Sequence, residues 1–263
     1  MYVNRAGRGG PPVVFVHGFG CASNDWEAQF ARLQASTTVV ACDLRGHGAT
    51  PGGPADCSIE QYGADVAGML AALDLTSAVL VGHSMGCRVV LQCSRTVPAR
   101  VAGIVLVDGS RVGVGDPAAA EVAMAEQLRA DGYLDFTRNF FEAMFVDASD
   151  PVVKAAIVER ALELAADVGR ALLTRLVAWD AREMEQALDA VHVPMLVVQS
   201  TTLNAERRRV PLRAEQSSPW LELVRQHVPR AHIEILPGLG HFPQIEAPDL
   251  VSALIADFIA RNL

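Results

Sequence analysis

The sequence predicts an α/β protein with a mostly parallel, doubly wound sheet and an inserted all-helical cap. Six short runs rich in β-branched residues recur along the chain, and most are continuously apolar. Such runs are typical of strands that are buried on both faces of a parallel sheet. Segments with helical periodicity fill several of the gaps between them, as expected for a sheet with helices on both sides. One gap, between Gly109 and Pro194, is too long for a single crossover helix and predicts an insertion.

The order of the elements follows from these patterns. The predicted strands cover residues 13–18, 37–43, 78–83, 104–109, 194–200 and 232–238. Helical periodicity covers residues 58–74, 84–97 and 247–263. Because ligands of such sheets bind at the carboxyl ends of the strands, we expect the functional residues in the loops that follow them.

The long gap has the pattern of about four helices. They are predicted at residues 117–130, 133–146, 151–166 and 168–188. An insertion at the ends of the strands would lie over the functional face of the sheet as a cap. The predicted division is therefore a core made of residues 1–110 and 190–263, and a cap made of residues 111–189.

Composition narrows the function classes. The chain has 263 residues, of which 51% are hydrophobic, and its formal net charge is −8. That charge argues against nucleic acid and anionic membranes as partners, because both select basic surfaces, and no apolar run reaches the roughly 18 residues of a membrane span. Five cysteines, an odd number without metal-ligand spacing, indicate reduced thiols in a cytoplasmic protein. We expect no metal, no cofactor, and either a monomer or a homodimer.

Residues 82–86 read GHSMG and directly follow a predicted strand. They fit the pattern G-x-S-x-G, in which the serine lies on a sharp turn between a strand and a helix. At such a turn the serine has a positive φ, which a non-glycine residue adopts only where its surroundings impose it. Small residues two positions away allow the strand and the helix to approach each other. The pattern thus indicates that Ser84 is held on a strained turn.

Four motifs occur in order, each at or just after a predicted strand. They are HGFG (17–20), DLRGHG (43–48), GHSMG (82–86) and GLGHF (238–242). With these motifs the chain resembles the α/β-hydrolase superfamily over nearly its whole length. The resemblance implies that Ser84 is the nucleophile and His241 its base. It also implies that the backbone amides of Phe19 and Met85 form the oxyanion hole.

The acid that would orient His241 has two candidates. Most relatives place an aspartate in the loop after the strand at 194–200, but no aspartate occurs in residues 190–248 of this chain. Some relatives take the acid from the position of Asp108, at the end of the strand after the nucleophile helix. Neighbouring strands are ~4.8 Å apart, so an acid there can reach the imidazole. We predict that Asp108 is the acid that orients His241. If Asp108 only caps its loop, the alternative acid is Glu206, and the third possibility is that neither residue has this role.

Side chains of the insertion are expected to line an apolar pocket. We predict that Phe140, Met144 and Trp179 contact the substrate, together with Phe19 of the first loop. The run Arg207–Arg209 has two interpretations. It recognises an anionic group of the substrate or, as we favour here, it belongs to a solvated loop.

These residues predict a cofactor-independent serine hydrolase whose partner is a small-molecule ester or lactone with an apolar moiety. Ser84 would attack the carbonyl, His241 would move the proton, Asp108 would orient the imidazole, and water would release the acyl group. Three alternatives on the same fold stay open: a C–C bond hydrolase with the same triad, a cofactor-free dioxygenase, and a small-molecule receptor. Met85 argues against the dioxygenase, because those relatives often have a histidine at this position.

Overall fold

Seven strands form one sheet in the computed structural model, which describes residues 1–204 and 208–263. With two more outside that sheet, the strands of the described residues are β1 (Val3–Ala6), β2 (Val13–Val16), β3 (Val39–Cys42), β4 (Ala78–His83), β5 (Val101–Val107), β6 (Met195–Gln199), β7 (Thr201–Leu203), β8 (Arg209–Pro211) and β9 (His232–Ile235). The order in the sheet is β1-β3-β2-β4-β5-β6-β9, and β7 and β8 form a separate antiparallel hairpin. Within the sheet β1 is antiparallel to β3 and the other pairs are parallel, which confirms the predicted fold class.

Helices cover both faces of the sheet. They are α1 (Glu27–Leu33), α2 (Ile59–Ala72), α3 (Met85–Thr96), α4 (Pro117–Ala130), α5 (Tyr133–Glu142), α6 (Pro151–Leu162), α7 (Ala166–Asp189), α8 (Pro219–His227), α9 (Pro243–Glu246) and α10 (Pro248–Asn262). Among the described residues, no helix combines the length and the apolar character needed to cross a bilayer.

Alternation along each strand creates two apolar layers. Val14 and Val16 of β2 pack in the layer that contains residues of α2 and α3. Val13 and Phe15 pack in the opposite layer, with residues of α1 and α10. Because successive side chains of a strand point to opposite faces, a continuously apolar strand is needed to fill both layers. This requirement explains why most of the six predicted strands are continuously apolar.

Helices α4 to α7 lie between β5 and β6 in the chain, in the predicted insertion. Two of them begin with the same local signal. Asp116 accepts a hydrogen bond from the amide of Ala119 at 2.8 Å, and Asp150 accepts one from the amide of Val152 at 2.7 Å. In both helices a proline follows the capping aspartate, in the first helical position where its missing N–H is not required. Helix α5 ends at Glu142, four residues before the predicted end at residue 146.

A buried ion pair connects the cap to the helix that follows Ser84. Arg88 of α3 and Asp180 of α7 approach to 2.6 Å, and both side chains are buried. Asp180 also accepts a hydrogen bond from the amide of Val112 at 2.7 Å. Breaking such a pair on one side leaves an uncompensated charge, so this contact fixes α7 over the start of α3.

Candidate active site

Ser84 lies at the turn between β4 and α3. Its φ of 53° is in the left-handed region, and its amide donates a hydrogen bond to the carbonyl oxygen of Val107 at 3.0 Å. A Cβ on Gly82 would collide with the carbonyl of Gly86, and a Cβ on Gly86 would collide with the carbonyl of Val16. The close approach of strand and helix therefore requires both glycines, as the motif predicts.

His241 lies in the loop between β9 and α9 and is fully buried. Its Nε2 is 2.8 Å from Oγ of Ser84. Its backbone N–H donates to the carbonyl oxygen of Met144 at 2.7 Å, and its carbonyl oxygen accepts a hydrogen bond from Nε2 of His83 at 2.7 Å. The backbone of this histidine is thus held on both sides, while its ring reaches the serine hydroxyl.

Asp108 directly follows β5 and is also fully buried, with a φ of 45°. Its Oδ2 is 2.6 Å from Nδ1 of His241. Its Oδ1 accepts hydrogen bonds from the amides of Ser200 and Thr201, both at 2.7 Å. Of the two acids considered from the sequence, the structure brings Asp108 to His241, whereas Glu206 lies outside the described residues. The residues that follow β6 thus bind the carboxylate of the residue that follows β5.

Burial and neighbouring charges determine the protonation of this pair. The pKa of His241 is lowered to about 4, chiefly by burial and next by the positive charge of Arg209, while Asp108 acts in the opposite direction. Burial alone would raise the pKa of Asp108, but the hydrogen bond and charge of His241, with the charge of Arg209, hold it below its usual value. At neutral pH the imidazole is therefore neutral and the carboxylate ionised, as a general base and its orienting acid require.

The backbone amides of Phe19 and Met85 are free to bind an oxyanion. Neither N–H donates a hydrogen bond within residues 1–204 and 208–263. Met85 is the first residue of α3, where amides have no acceptor within the helix. Both residues line the same cavity as Ser84. The oxyanion hole itself stays a prediction.

Ser84 lies in the wall of a cavity of about 280 Å³ that is lined mainly by apolar side chains of the cap and the adjoining loops. Phe19, Phe140 and Met144 are in this wall; their contact with a substrate stays a prediction. Trp179 is not in the wall, so that expectation is corrected: its side chain is fully buried elsewhere in the core. The residues of the same helix that do line the cavity are Leu173, Leu176 and Val177.

A residue that we assigned to a solvated loop lies in the same wall. Arg209 of β8 pairs with Leu203 of β7 across the hairpin, and both line the cavity. Its side chain is only 7% exposed. Its Nη1 is 3.3 Å from Oδ2 of Asp108 and donates to Oγ1 of Thr201 at 2.8 Å. The solvated-loop interpretation is therefore wrong for Arg209.

The preceding residue, Arg208, is exposed, whereas Arg207 lies outside the described residues. Successive side chains of an extended segment point to opposite sides, so one arginine of such a run is buried while its neighbour meets solvent. In the part of the chain that the structure describes, no three His, Cys, Asp or Glu side chains are grouped so that they could hold a metal ion.

Glu246, at the end of α9, is another group that the sequence analysis did not identify. Its carboxylate accepts hydrogen bonds from the amides of Gly240 at 3.2 Å and Phe242 at 3.4 Å, which flank His241. It also accepts one from the hydroxyl of Ser149 in the cap at 2.7 Å. Together with the hydrogen bond from the His241 amide to Met144, this contact connects the loop of His241 to the cap at two points.

Comparison with known proteins assigns the chain to a family. The sequence profile of the Alpha/beta hydrolase family matches residues 13–254, so the chain belongs to that family. The chain is similar to the dihydrolipoyllysine-residue acetyltransferase component of the acetoin cleaving system of Pseudomonas putida, with 27% identity over 97% of this chain and 65% of that protein. It is also similar to a non-heme chloroperoxidase of Streptomyces lividans, with 40% identity over 41% of this chain and 40% of that protein. The chain thus spans less than two thirds of the length of either relative.

Solved structures show the same architecture over nearly the full chain. An esterase from Thermogutta terrifontis has a TM-score of 0.81 and 25% sequence identity, and the match covers 99% of this chain and 93% of that chain. The enol-lactonase from Burkholderia xenovorans LB400 has a TM-score of 0.77 and 23% identity, covering 98% of this chain and 96% of that chain. At that identity the enol-lactonase establishes the fold alone.

Proposed function

We propose that the chain is a serine hydrolase that cleaves a carboxylic ester or lactone with an apolar moiety, without a cofactor. The observation that carries the proposal is the continuous hydrogen-bonded line from Ser84 through His241 to Asp108, with distances of 2.8 and 2.6 Å. The esterase activity in the name of the Thermogutta terrifontis structure supports the choice of an ester. A C–C bond hydrolase would use the same groups with a carbon leaving group, and a substrate panel distinguishes the two.

In the first half of the reaction, Oγ of Ser84 attacks the substrate carbonyl carbon while its proton moves to Nε2 of His241. A neutral imidazole at neutral pH can accept that proton, and the ionised Asp108 stabilises the imidazolium that forms. The carbonyl oxygen becomes negatively charged and accepts hydrogen bonds from the amides of Phe19 and Met85. Each such donor typically stabilises the transition state by about 3 kcal/mol.

In the second half, His241 gives its proton to the leaving alkoxide oxygen, and the acyl group stays on Ser84. For a lactone the leaving oxygen remains in the same molecule as the acyl group. Water then gives a proton to Nε2 of His241 and attacks the acyl carbon, and His241 returns the proton to Oγ of Ser84. Atoms and charge balance with one water consumed for each ester bond.

The size of the cavity limits the substrate. Its volume of about 280 Å³ is close to the lower end of common ligand pockets, which start near 300 Å³. Aromatic and thioether side chains make up much of the wall, so an apolar part of the substrate gains from burial there. A cytoplasmic location and a monomeric or homodimeric state remain predictions from the sequence.

The test is covalent labelling with a fluorophosphonate, read by intact mass and by peptide mapping. We expect one label, on Ser84, together with loss of activity on a panel of aryl esters, alkyl esters and lactones. Ser84→Ala should abolish both labelling and turnover. Ser110→Ala removes another hydroxyl from the same cavity wall and should still be labelled. Near-normal turnover by Ser84→Ala would refute the acyl-enzyme mechanism.

A further inference from the structure

The wall of the Ser84 cavity contains two arginines, Arg88 and Arg209, and no Asp or Glu of the described residues. The charge of Arg88 is compensated. Its Nε and Nη2 donate to the two carboxylate oxygens of Asp180 at 2.6 and 2.7 Å, and it also donates to the carbonyl oxygens of Ser84 and Ser110. Arg88 therefore has a complete structural role between cap and core.

Arg209 is different, because among the residues that the structure describes only its Nη1 makes hydrogen bonds. These go to Oδ2 of Asp108 at 3.3 Å and to Oγ1 of Thr201 at 2.8 Å. Its Nε and Nη2 donate to no residue that the structure describes. A guanidinium carries five N–H donors, so most of the capacity of this group is unused in a side chain that is 7% exposed. A charged group in such a place favours a ligand that completes its hydrogen bonds.

Support of the acid does not explain why a guanidinium is present. Asp108 already accepts hydrogen bonds from the amide of Ser200, from the amide and hydroxyl of Thr201, and from His241. For the reaction itself a positive charge beside the imidazole is unfavourable, because it opposes protonation of the base. An anion bound to the free N–H groups of Arg209 would compensate that charge while the substrate is present.

We propose that Arg209 binds a carboxylate of the substrate, so that the preferred substrates are esters or lactones that also carry a carboxylate. The planar fork of a guanidinium matches a carboxylate with two parallel hydrogen bonds. This inference rests on the proposed function of the same site. The apolar wall then surrounds the chain that links the carboxylate to the ester, and the cationic end of the cavity determines how that chain is oriented.

The first test uses the wild-type protein and two isosteric substrates. They are the p-nitrophenyl monoester of adipic acid and the corresponding primary amide, which replaces the carboxylate with a neutral group of the same shape. A hydrogen bond to a charged group predicts a preference of about ten- to a hundredfold in kcat/KM for the carboxylate. A matching pair with the carboxylate on the alcohol side, 4-acetoxybutanoate and 4-acetoxybutanamide, shows on which side the anion lies. Equal rates within both pairs would overturn the proposal.

The second test assigns the preference to one side chain. Arg209→Gln should reduce the carboxylate preference to about one, whereas Arg209→Lys, which keeps the charge, should retain part of it. The matched control is Arg208→Gln, the same change one residue earlier at an exposed position, and its preference should equal that of the wild type. The proposal would be overturned if both glutamine variants lost the carboxylate preference equally. It would also be overturned if Arg209→Gln lost the same factor in kcat/KM on both substrates of a pair.

Two measurements keep the outcomes separate. If Arg209→Gln does not fold, we compare the inhibition of the wild type by hexanoate with its inhibition by hexanamide, using p-nitrophenyl acetate as substrate. Weaker inhibition by hexanoate than by hexanamide contradicts the proposal. Ser84→Ala is measured on every substrate. Turnover without Ser84 would refute the proposed function, whereas Ser84-dependent turnover with no carboxylate preference would refute only the role of Arg209.

Discussion

Replacing Asp108 by asparagine tests the orienting acid most directly. The change preserves size, but no orientation of the amide fits the site. With its NH₂ at the position of Oδ1, the side chain would meet the amides of Ser200 and Thr201, which are fixed donors at 2.7 Å. With its NH₂ at the position of Oδ2, it would donate to Nδ1 of His241 and force the tautomer that carries its proton on Nε2. That tautomer cannot accept the proton of Ser84.

The expected loss in kcat for Asp108→Asn is on the order of 10²–10⁴, which corresponds to about 3–5 kcal/mol at 1.36 kcal/mol for each factor of ten. The assay is hydrolysis of a p-nitrophenyl ester at neutral pH, with circular dichroism and thermal unfolding to verify that the variant is folded. Fluorophosphonate labelling should slow in parallel, because it depends on the same base.

Glu206→Gln is the matched control, since Glu206 is the other acid that the sequence offers. It should lose less than about tenfold in kcat. The two assignments of the acid predict opposite orders of activity for these two variants. A folded Asp108→Asn protein with nearly full activity, beside an inactive Glu206→Gln protein, would show that the acid comes from the later loop.

Three further predictions follow from burial and from the lining of the cavity. The pKa is lowered to about 3 for His17 and to about 4 for His47 and His241, and burial is the largest cause in each case. In the unfolded chain these histidines have pKa values near 6.5, so the unfolded chain binds more protons than the folded one between about pH 4 and pH 6.5. Stability should therefore be full above about pH 6.5 and decrease as the pH falls toward 4; a Tm that stays constant over this range would contradict the assignment. Trp179→Ala should lower the free energy of unfolding by about 3–5 kcal/mol with little change in substrate preference. Phe140→Ala should instead raise KM for a long-chain ester relative to an acetyl ester, and the reverse pattern in kinetics would contradict the placement of these two side chains.

Whether a strand could be predicted from the sequence depended on its position in the sheet. Strands buried on both faces are apolar over most of their length, and β4, with all six residues buried and an apolar run before Gly82 and His83, is an example. β1 was missed because this edge strand has exposed residues at Asn4 and Arg5 and so lacks an apolar run. The hairpin of β7 and β8 was missed because each strand has three residues, which is too short for a period of two to be recognised.

The site divides in the same way. Ser84 and His241 were identifiable because each lies in a glycine-rich motif whose position after a strand is visible in the chain. Asp108 emerged from its place at a strand end and from the absence of an aspartate in residues 190–248. Trp179 was assigned wrongly because α7 has buried residues on several faces, so periodicity does not tell which face meets the cavity. The burial of Arg209 depends on the hairpin, which no apolar pattern indicates.

Two hydrogen bonds between the cap and the loop of His241 limit how caps can be exchanged between relatives. Residues 144–149 belong to the cap by position in the chain, yet they hold the backbone of His241 and the carboxylate of Glu246. A chimera in which residues 111–189 are replaced by the cap of a relative would lose these contacts together with the cavity lining that it was meant to change. A graft confined to α4 and the first half of α7 would change the pocket wall and leave the histidine anchored.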